Sequence, residues 1–388
     1  MPVFPNNPIS IYVHWPFCLA KCPYCDFNSH VRATIDEEAM AAALLQEINH
    51  YADLVGRREV KSIFFGGGTP SLMSAKTVEG VLSRIEEKLG FSENIEITLE
   101  ANPTSVEAAK FSDFSGAGVN RVSIGIQALN SEDLKALGRE HSVDEALEAI
   151  NLSQKYFKRS NFDLIYARMG QTTSEWEKEL NAAIKMANGH LSLYQLTIEQ
   201  GTPFYGQWRQ GKLVIPDEDV SAEMYDLTNQ ICADRGYPIY EVSNYARFGE
   251  ESRHNLTYWK YNDYIGIGAG AHGRISYGGH TYSTVQNKKP ETWLKAVQKN
   301  GHATKEMTKL SQREMAEEMI MMGLRLSEGI SKAEFEKRIG KPIEDFIQTD
   351  QVEQLRAQGF VEQAHQGRLQ LSALGRPLLN QILGQILA

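Results

Sequence analysis

Short apolar runs of strand character alternate with longer segments whose apolar residues recur every three to four positions, and this alternation persists over the first two hundred residues. The runs predict strands at Ser10–His14, Lys61–Phe65, Ile95–Glu100, Arg121–Gly125, Phe162–Tyr166 and Leu191–Ile198. The three-to-four spacing predicts helices at Glu37–Tyr51, Ala75–Leu89, Val106–Ser115, Val143–Phe157 and Ser174–Ala187. Elements in this order pair in parallel through right-handed crossovers. Six strand–helix units are fewer than the eight that close a barrel, so the expected fold is α/β, an open (β/α)6 partial TIM-type barrel with its functional groups at the C-terminal ends of the strands.

After about residue 200 the pattern changes to loops and short aromatic-rich strands, and from Leu310 it becomes helical. The expected division is a barrel core over 1–235, a connecting β-containing segment over 236–305 and a mostly helical unit over 306–388. In that last unit, helices precede Gly359-Phe360-Val361-Glu362 and Arg368-Leu369-Gln370-Leu371, an order that resembles a winged helix with a hairpin at Phe360–Leu371. Glu317, Glu318, Glu344, Asp345, Asp350 and Glu353 make it mixed or acidic, and the whole chain carries a formal charge of −9. Packing or a lid is therefore expected of this unit rather than nucleic-acid binding.

Polar and glycine-rich residues fall at the ends of successive predicted strands. Cys18 follows the first, Gly66-Gly67-Gly68-Thr69-Pro70 the second, Glu100-Ala101-Asn102-Pro103 ends the third, Gln127 the fourth, and Asp163 lies on the fifth. Such residues converge on one mouth in a barrel of this kind. The chain has four cysteines, too few for a disulfide scaffold, and three of them stand close together at Cys18, Cys22 and Cys25. The spacing C-x3-C-x2-C suits three thiolates on an iron–sulfur cube, with one iron left open to a further ligand. A zinc loop is the alternative, with His14 or His30 as the fourth donor. The start, Met1 to Asn7, lacks the basic and apolar runs of a signal peptide, and no stretch is long and apolar enough to span a bilayer, so a reduced, cytoplasmic setting is expected.

The trio, with Tyr24 before its last cysteine, resembles the cluster loop of the radical SAM superfamily. Tyr12-Val13-His14-Trp15-Pro16-Phe17-Cys18 and Gly66-Gly67-Gly68-Thr69-Pro70-Ser71 are similar to the branch holding the oxygen-independent coproporphyrinogen III oxidases and the HemW heme chaperones. The oxidases carry one more cysteine two places after the third, where this chain has Phe27. They also lack His254-Asn255-Leu256-Thr257-Tyr258-Trp259, which resembles the H-N-x-x-Y-W string of the chaperones. The resemblance implies a heme chaperone holding a [4Fe-4S] cluster, S-adenosylmethionine and heme, served by a low-potential electron donor, with an acceptor hemoprotein as partner and a transient membrane encounter during delivery. The alternative is oxidative decarboxylation of coproporphyrinogen III to protoporphyrinogen IX. In the superfamily, electron transfer from the reduced cluster cleaves S-adenosylmethionine to a 5′-deoxyadenosyl radical.

The same resemblance implies S-adenosylmethionine contacts at Tyr12, Tyr24, Gly67, Gly68, Thr69, Glu100, Gln127, Arg139 and Asp163. Read from the residues alone, the glycines suit a tight βα turn, Glu100 a ribose or amino contact or a helix cap, and Arg139 a surface ion pair with Glu140 or Glu145. His254 is a candidate axial heme ligand, with Asn255, Tyr258 and Trp259 beside the porphyrin, and His272 is a second. Cys232 reads as a buried helix position. One departure is local: the family commonly has Gly-Leu-Pro after Asp-Leu-Ile-Tyr, where this chain has Ala167-Arg168-Met169.

Overall fold

The chain builds one twelve-stranded sheet whose central strands alternate in polarity residue by residue. In the computed structural model, which describes residues 7–363 and 367–387, the strands are β1 (Ile9–Trp15), β2 (Val60–Gly67), β3 (Phe91–Ala101), β4 (Arg121–Gln127), β5 (Arg159–Tyr166), β6 (Gly189–Gln195), β7 (Ile239–Glu241), β8 (Asn244–Ala246), β9 (Tyr264–Ile267), β10 (His272–Tyr277), β11 (His280–Gln286) and β12 (Thr304–Lys309). Their order across the sheet is β12-β11-β10-β9-β1-β2-β3-β4-β5-β6-β8-β7. β1 to β6 are parallel neighbours, as the strand–helix alternation predicts, and the sheet stays open. A seventh parallel strand, β9, pairs with the other edge of β1 through Ser10↔Tyr264 to Val13↔Ile267. The segment after residue 236 therefore extends the same sheet on both sides.

Side chains alternate across a strand. Ile11, Val13, Ile63, Phe65, Ile97, Leu99, Val122, Ile124, Phe162, Leu164, Leu191 and Leu193 point to the outer face and are buried in the main core. The opposite, inner face carries Ser10, Tyr12, His14, Ser62, Glu96, Glu100, Arg121, Ser123, Asn161, Asp163 and Ser192, joined in hydrogen bonds such as Asn161 Nδ2 to Ser123 Oγ (2.8 Å) and Ser62 Oγ to Ser10 Oγ (2.8 Å). An apolar outer face bound by helices and a polar inner face give the concave surface its chemistry. The covering helices include α1 (Glu37–Val55), α2 (Ala75–Lys88), α3 (Val143–Tyr156), α4 (Thr173–Met186) and α5 (Glu218–Asp234). Their starts carry side-chain caps from Asp36, Ser74, Ser142, Thr172 and Asp217. The helix expected over Val106–Ser115 is two short pieces, Ser105–Ala108 and Phe111–Gly116.

A second core gathers Tyr261, Ala316, Ile320, Phe335, Ile339, Leu355, Ile382 and Ile386 under the C-terminal helices. There Val361 bridges Leu371, while Arg368–Leu369 pairs with Ile330–Ser331; residues 364–366 of the expected hairpin lie outside the described residues. No helix among the described residues is long and apolar enough to cross a membrane.

The Ala167 turn keeps the backbone that a glycine would adopt. Its φ is +53°, in the left-handed region that costs a residue with a Cβ about 1–2 kcal/mol. The turn is pinned by buried Arg168, which donates to the Ile165 carbonyl (2.5 Å) and pairs with Asp133 and Glu179 (both 2.6 Å). Ala167→Gly is expected to stabilise the protein by about 0.5–1 kcal/mol, the relief of strain less the added freedom of the unfolded chain. A rise in the urea midpoint at unchanged slope checks it.

Candidate functional site

The loop after β1 holds the cysteine trio at the C-terminal mouth of the barrel. Cys18 ends a two-residue strand, Phe17–Cys18, that pairs with His30–Val31. The glycine loop after β2 docks on this strand: Gly68 N donates to the Trp15 carbonyl (2.7 Å) and Thr69 N to the Phe17 carbonyl (2.8 Å). A Cβ at Gly68 would stand 2.5 Å from the Phe17 oxygen, and one at Gly67, with φ +112°, 2.5 Å from the His14 ring. These two positions need glycine so that the loop can reach the cysteine strand.

The sulfurs meet donors. Thr69 Oγ1 lies 3.3 Å from Cys18 Sγ and Arg139 Nη1 3.4 Å from Cys22 Sγ. Burial raises the Cys18 and Cys25 thiols, so these two favour the protonated form until a bound cation stabilises their thiolates. The histidines of the zinc alternative are engaged elsewhere. His14 Nδ1 bonds Tyr12 Oη and its Nε2 the Asn28 carbonyl (both 2.9 Å), and His30 Nε2 lies 3.3 Å from Asn28 Oδ1. Among the described residues no three His, Cys, Asp or Glu side chains form a single-ion site.

The trio opens into a cavity of about 1050 Å³, part of it open to solvent. Tyr24, Gly67, Gly68, Thr69, Glu100, Gln127, Arg139 and Asp163 all line it. Tyr12 is not part of that lining; it faces a neighbouring cavity. Arg139 forms no surface ion pair with Glu140 or Glu145. Its guanidinium turns inward to Asn102 Oδ1 (2.7 Å) and the Gly125 carbonyl (2.9 Å). Gln127 sits at φ +70°, a strained non-glycine position at the strand end, of the kind that clusters at functional sites.

Two carboxylates at the cavity floor have no cationic partner within bonding distance. Burial and the neighbouring Asp163 charge push Glu100 up to about 8, against one bond from Gly67 N (3.3 Å). Burial pushes Asp163 up to about 6, opposed by Ser192, Arg121, Ser123 and Asn161. Acids so placed favour a cationic ligand.

Asn102, named in the sequence only as part of a strand end, is the residue that composition-based reasoning missed. It bridges Thr69 Oγ1 (3.2 Å), Arg139 and Glu107 Oε1 (3.3 Å), linking both sulfur-donor residues. A neutral amide gives no titration or ligand signal in a sequence. Its place two residues after Glu100, just past the end of β3, was the available clue.

The H-N-x-x-Y-W string forms helix α6 (Arg253–Trp259), packed against β2 at the inner face. Glu96 caps its start through the amides of Arg253 (3.2 Å) and His254 (3.0 Å). His254 is fully buried, and both ring nitrogens are engaged, Nδ1 with Ser62 Oγ (2.9 Å) and Nε2 with Tyr258 Oη (2.7 Å). Burial, aided by Arg121, pushes it down to about 3, so it is neutral. Trp259 lies outside both cavities and stacks under Arg325 at 4.5 Å. Asn255 contributes its amide to the Ser252 cap (3.3 Å). Cys232 is buried in the main core, its thiol pushed up to about 12 by burial.

Comparison with known proteins matches these features. The Radical SAM superfamily profile fits residues 12–183, and the HemN C-terminal domain profile fits 310–378. The chain is 37% identical to heme chaperone HemW of Escherichia coli over 98% of both chains, and 40% identical to that of Haemophilus influenzae over 88% of both. It is 39% identical to the mitochondrial radical S-adenosyl methionine domain-containing protein 1 of Bos taurus, over 98% of this chain and 87% of that one. The solved coproporphyrinogen III oxidase of Escherichia coli shares the fold, with a TM-score of 0.82 at 22% identity over 98% of this chain and 90% of the other. From cysteine loop to C-terminal unit, the chain belongs to the radical SAM superfamily, in the family of the HemW proteins and their mitochondrial relatives.

Proposed function

We propose that the protein is a heme chaperone that holds a [4Fe-4S] cluster on Cys18, Cys22 and Cys25, binds S-adenosylmethionine beside it, and passes heme to an acceptor hemoprotein. The observation that carries this reading is the end-to-end similarity to proteins named heme chaperone HemW. Phe27, where a decarboxylase of this branch would place a cysteine, supports it over the oxidase.

The residues fit the cofactors. Three half-buried thiols that lack a histidine partner, with Arg139 and Thr69 donating to them, suit an iron–sulfur cube better than a single zinc ion. The unpaired Glu100 and Asp163 supply counter-charge for the amino group and sulfonium of S-adenosylmethionine. Thr69 and the glycine loop hold the near wall, while Gln127, Arg139 and Tyr24 border the rest. When bound and reduced, the cluster supplies an electron for carbon–sulfur cleavage. The protein's own part is to fix the sulfurs, position the sulfonium by charge and keep the floor of the cavity dry.

Anaerobically reconstituted protein is expected to take up heme in stoichiometric amount, release it to an apo-hemoprotein, and yield 5′-deoxyadenosine when reduced by a strong low-potential donor. Coproporphyrinogen III is expected to pass unchanged. Its decarboxylation without stable heme uptake would overturn the chaperone reading in favour of the oxidase.

A further inference from the structure

One neutral amide stands between the two side chains that donate to the cysteine sulfurs. Asn102, just past the end of β3, places Oδ1 2.7 Å from Arg139 Nη2 and Nδ2 3.2 Å from Thr69 Oγ1, with Glu107 Oε1 3.3 Å from the same nitrogen. The amide can face only this way. A guanidinium has donors and no acceptor, so it must meet the oxygen, and the NH2 is left for Thr69 and the Glu107 carboxylate. Glu107 is itself buried and also accepts from the Asn102 backbone amide (2.9 Å) and the Ser71 hydroxyl. The short helix Ser105–Ala108 thereby ties the amide to the glycine loop. A threonine hydroxyl has one proton. Because Thr69 Oγ1 accepts from Asn102, that proton is directed to Cys18 Sγ at 3.3 Å, and accepting polarises the O–H that donates. On the other side, Arg139 Nε meets no acceptor among the described residues. The two Nη2 bonds, to Asn102 and to the Gly125 carbonyl (2.9 Å), therefore set the plane that aims Nη1 at Cys22 Sγ (3.4 Å).

We infer that Asn102 is a positioning residue that sets the reduction potential of the cluster, by fixing the Thr69 hydroxyl toward Cys18 and the Arg139 guanidinium toward Cys22. The inference rests on the cluster reading above and concerns a residue that need not touch the cluster itself. Hydrogen bonds to the ligating sulfurs draw charge from the iron–sulfur core and make it easier to reduce. The amide is neutral, so it orients both donors without adding a charge beside the sulfurs. Alanine at this position would leave the Thr69 hydroxyl free to rotate and Arg139 Nη2 held by Gly125 alone. Aspartate would keep the shape and the Arg139 contact but turn an oxygen toward Thr69. The hydroxyl would then donate to that oxygen and leave Cys18.

The test is a redox titration of anaerobically reconstituted protein, read by electron paramagnetic resonance of the reduced cluster, with iron and sulfide counted in every sample. Asn102→Ala is expected to lower the potential. At a fixed donor potential its ratio of reduced to oxidised cluster should fall about tenfold, which is about 59 mV for a one-electron couple. Thr69→Val should shift the wild type in the same direction but move the Asn102→Ala protein far less, because the hydroxyl it removes is no longer aimed at Cys18. Asn102→Asp should make Thr69→Val equally ineffective. An unchanged potential in Asn102→Ala, or shifts from positions 102 and 69 that simply add, overturns the inference. So does failure of both Asn102 variants to assemble a cluster, since the amide would then serve assembly rather than potential. Wild type that itself holds no [4Fe-4S] cluster sinks the cluster reading, and the inference with it, before any variant is compared.

Discussion

Glu100→Gln is expected to stabilise the ligand-free protein at pH 8 while weakening S-adenosylmethionine binding about ten- to a hundredfold, the worth of a hydrogen bond to a charged group. Both effects follow from one buried acid. The ordinary glutamate value is about 4.3, but burial and the nearby Asp163 push Glu100 up to about 8. Between those values the folded protein keeps a proton that the unfolded chain has released. Stability therefore falls as pH rises through that window, and the contribution is fully present only below it. Asp163, pushed up to about 6, adds a shorter slope of the same sign. Glutamine cannot ionise, so the Glu100 part of the slope vanishes and the variant melts higher at pH 8. In the wild type a bound cation should abolish the same slope by stabilising the carboxylate. Melting temperatures from pH 5 to 9, with and without S-adenosylmethionine, read both arms. A Glu100→Gln variant that bound the sulfonium as tightly as wild type would remove the carboxylate from the site.

The barrel was largely legible because strand and helix periods differ and because β1 to β6 each precede a helix with its own cap. Strand ends also announced the cavity: Cys18, Gly68, Glu100, Gln127 and Asp163 do meet there. What escaped had physical reasons. β9 is only four residues long and joins β1 from more than two hundred residues away, so no local period marks it as a seventh parallel strand. The H-N-x-x-Y-W string suggests a metal ligand by residue type, but type does not fix orientation, and here Ser62 and Tyr258 occupy both nitrogens of His254. Arg139 looked equally suited to a surface ion pair, because acidic neighbours in sequence are visible and a turn toward Cys22 and Asn102 is not. Ala167 carries no sign of its left-handed backbone, which the buried Arg168 ion pairs hold in place.

Asp263→Ala should destabilise the protein by about 3–5 kcal/mol, the cost of stranding buried charge. Asp263 is almost completely buried and joins three parts of the chain. Its Oδ2 meets Arg58 between α1 and β2 (2.8 Å), its Oδ1 meets Arg338 in the C-terminal helical unit (2.6 Å), and both oxygens bond Ser276 on β10. Removing it takes the counter-charge from buried Arg58 and one of the contacts from Arg338. Burial alone would raise the aspartate pKa, but the two arginines outweigh it and hold the carboxyl below its ordinary value. Its stabilising contribution is therefore full above about pH 4 and is lost as pH falls through the lower folded value. Asp263→Ala should accordingly flatten the acid limb of the stability curve as well as lower its plateau. Because Arg338 is one of the ties to the second core, beside Arg274–Glu318 and Arg325–Glu241, the first segment released should be the C-terminal unit, visible as early proteolytic cleavage near residue 310. The surface pair Lys332–Glu344, at 2.5 Å with both partners half-exposed, is the control, and its loss should scarcely move the transition. Equal effects from the two substitutions would mean that the Asp263 joint carries no more than a surface contact.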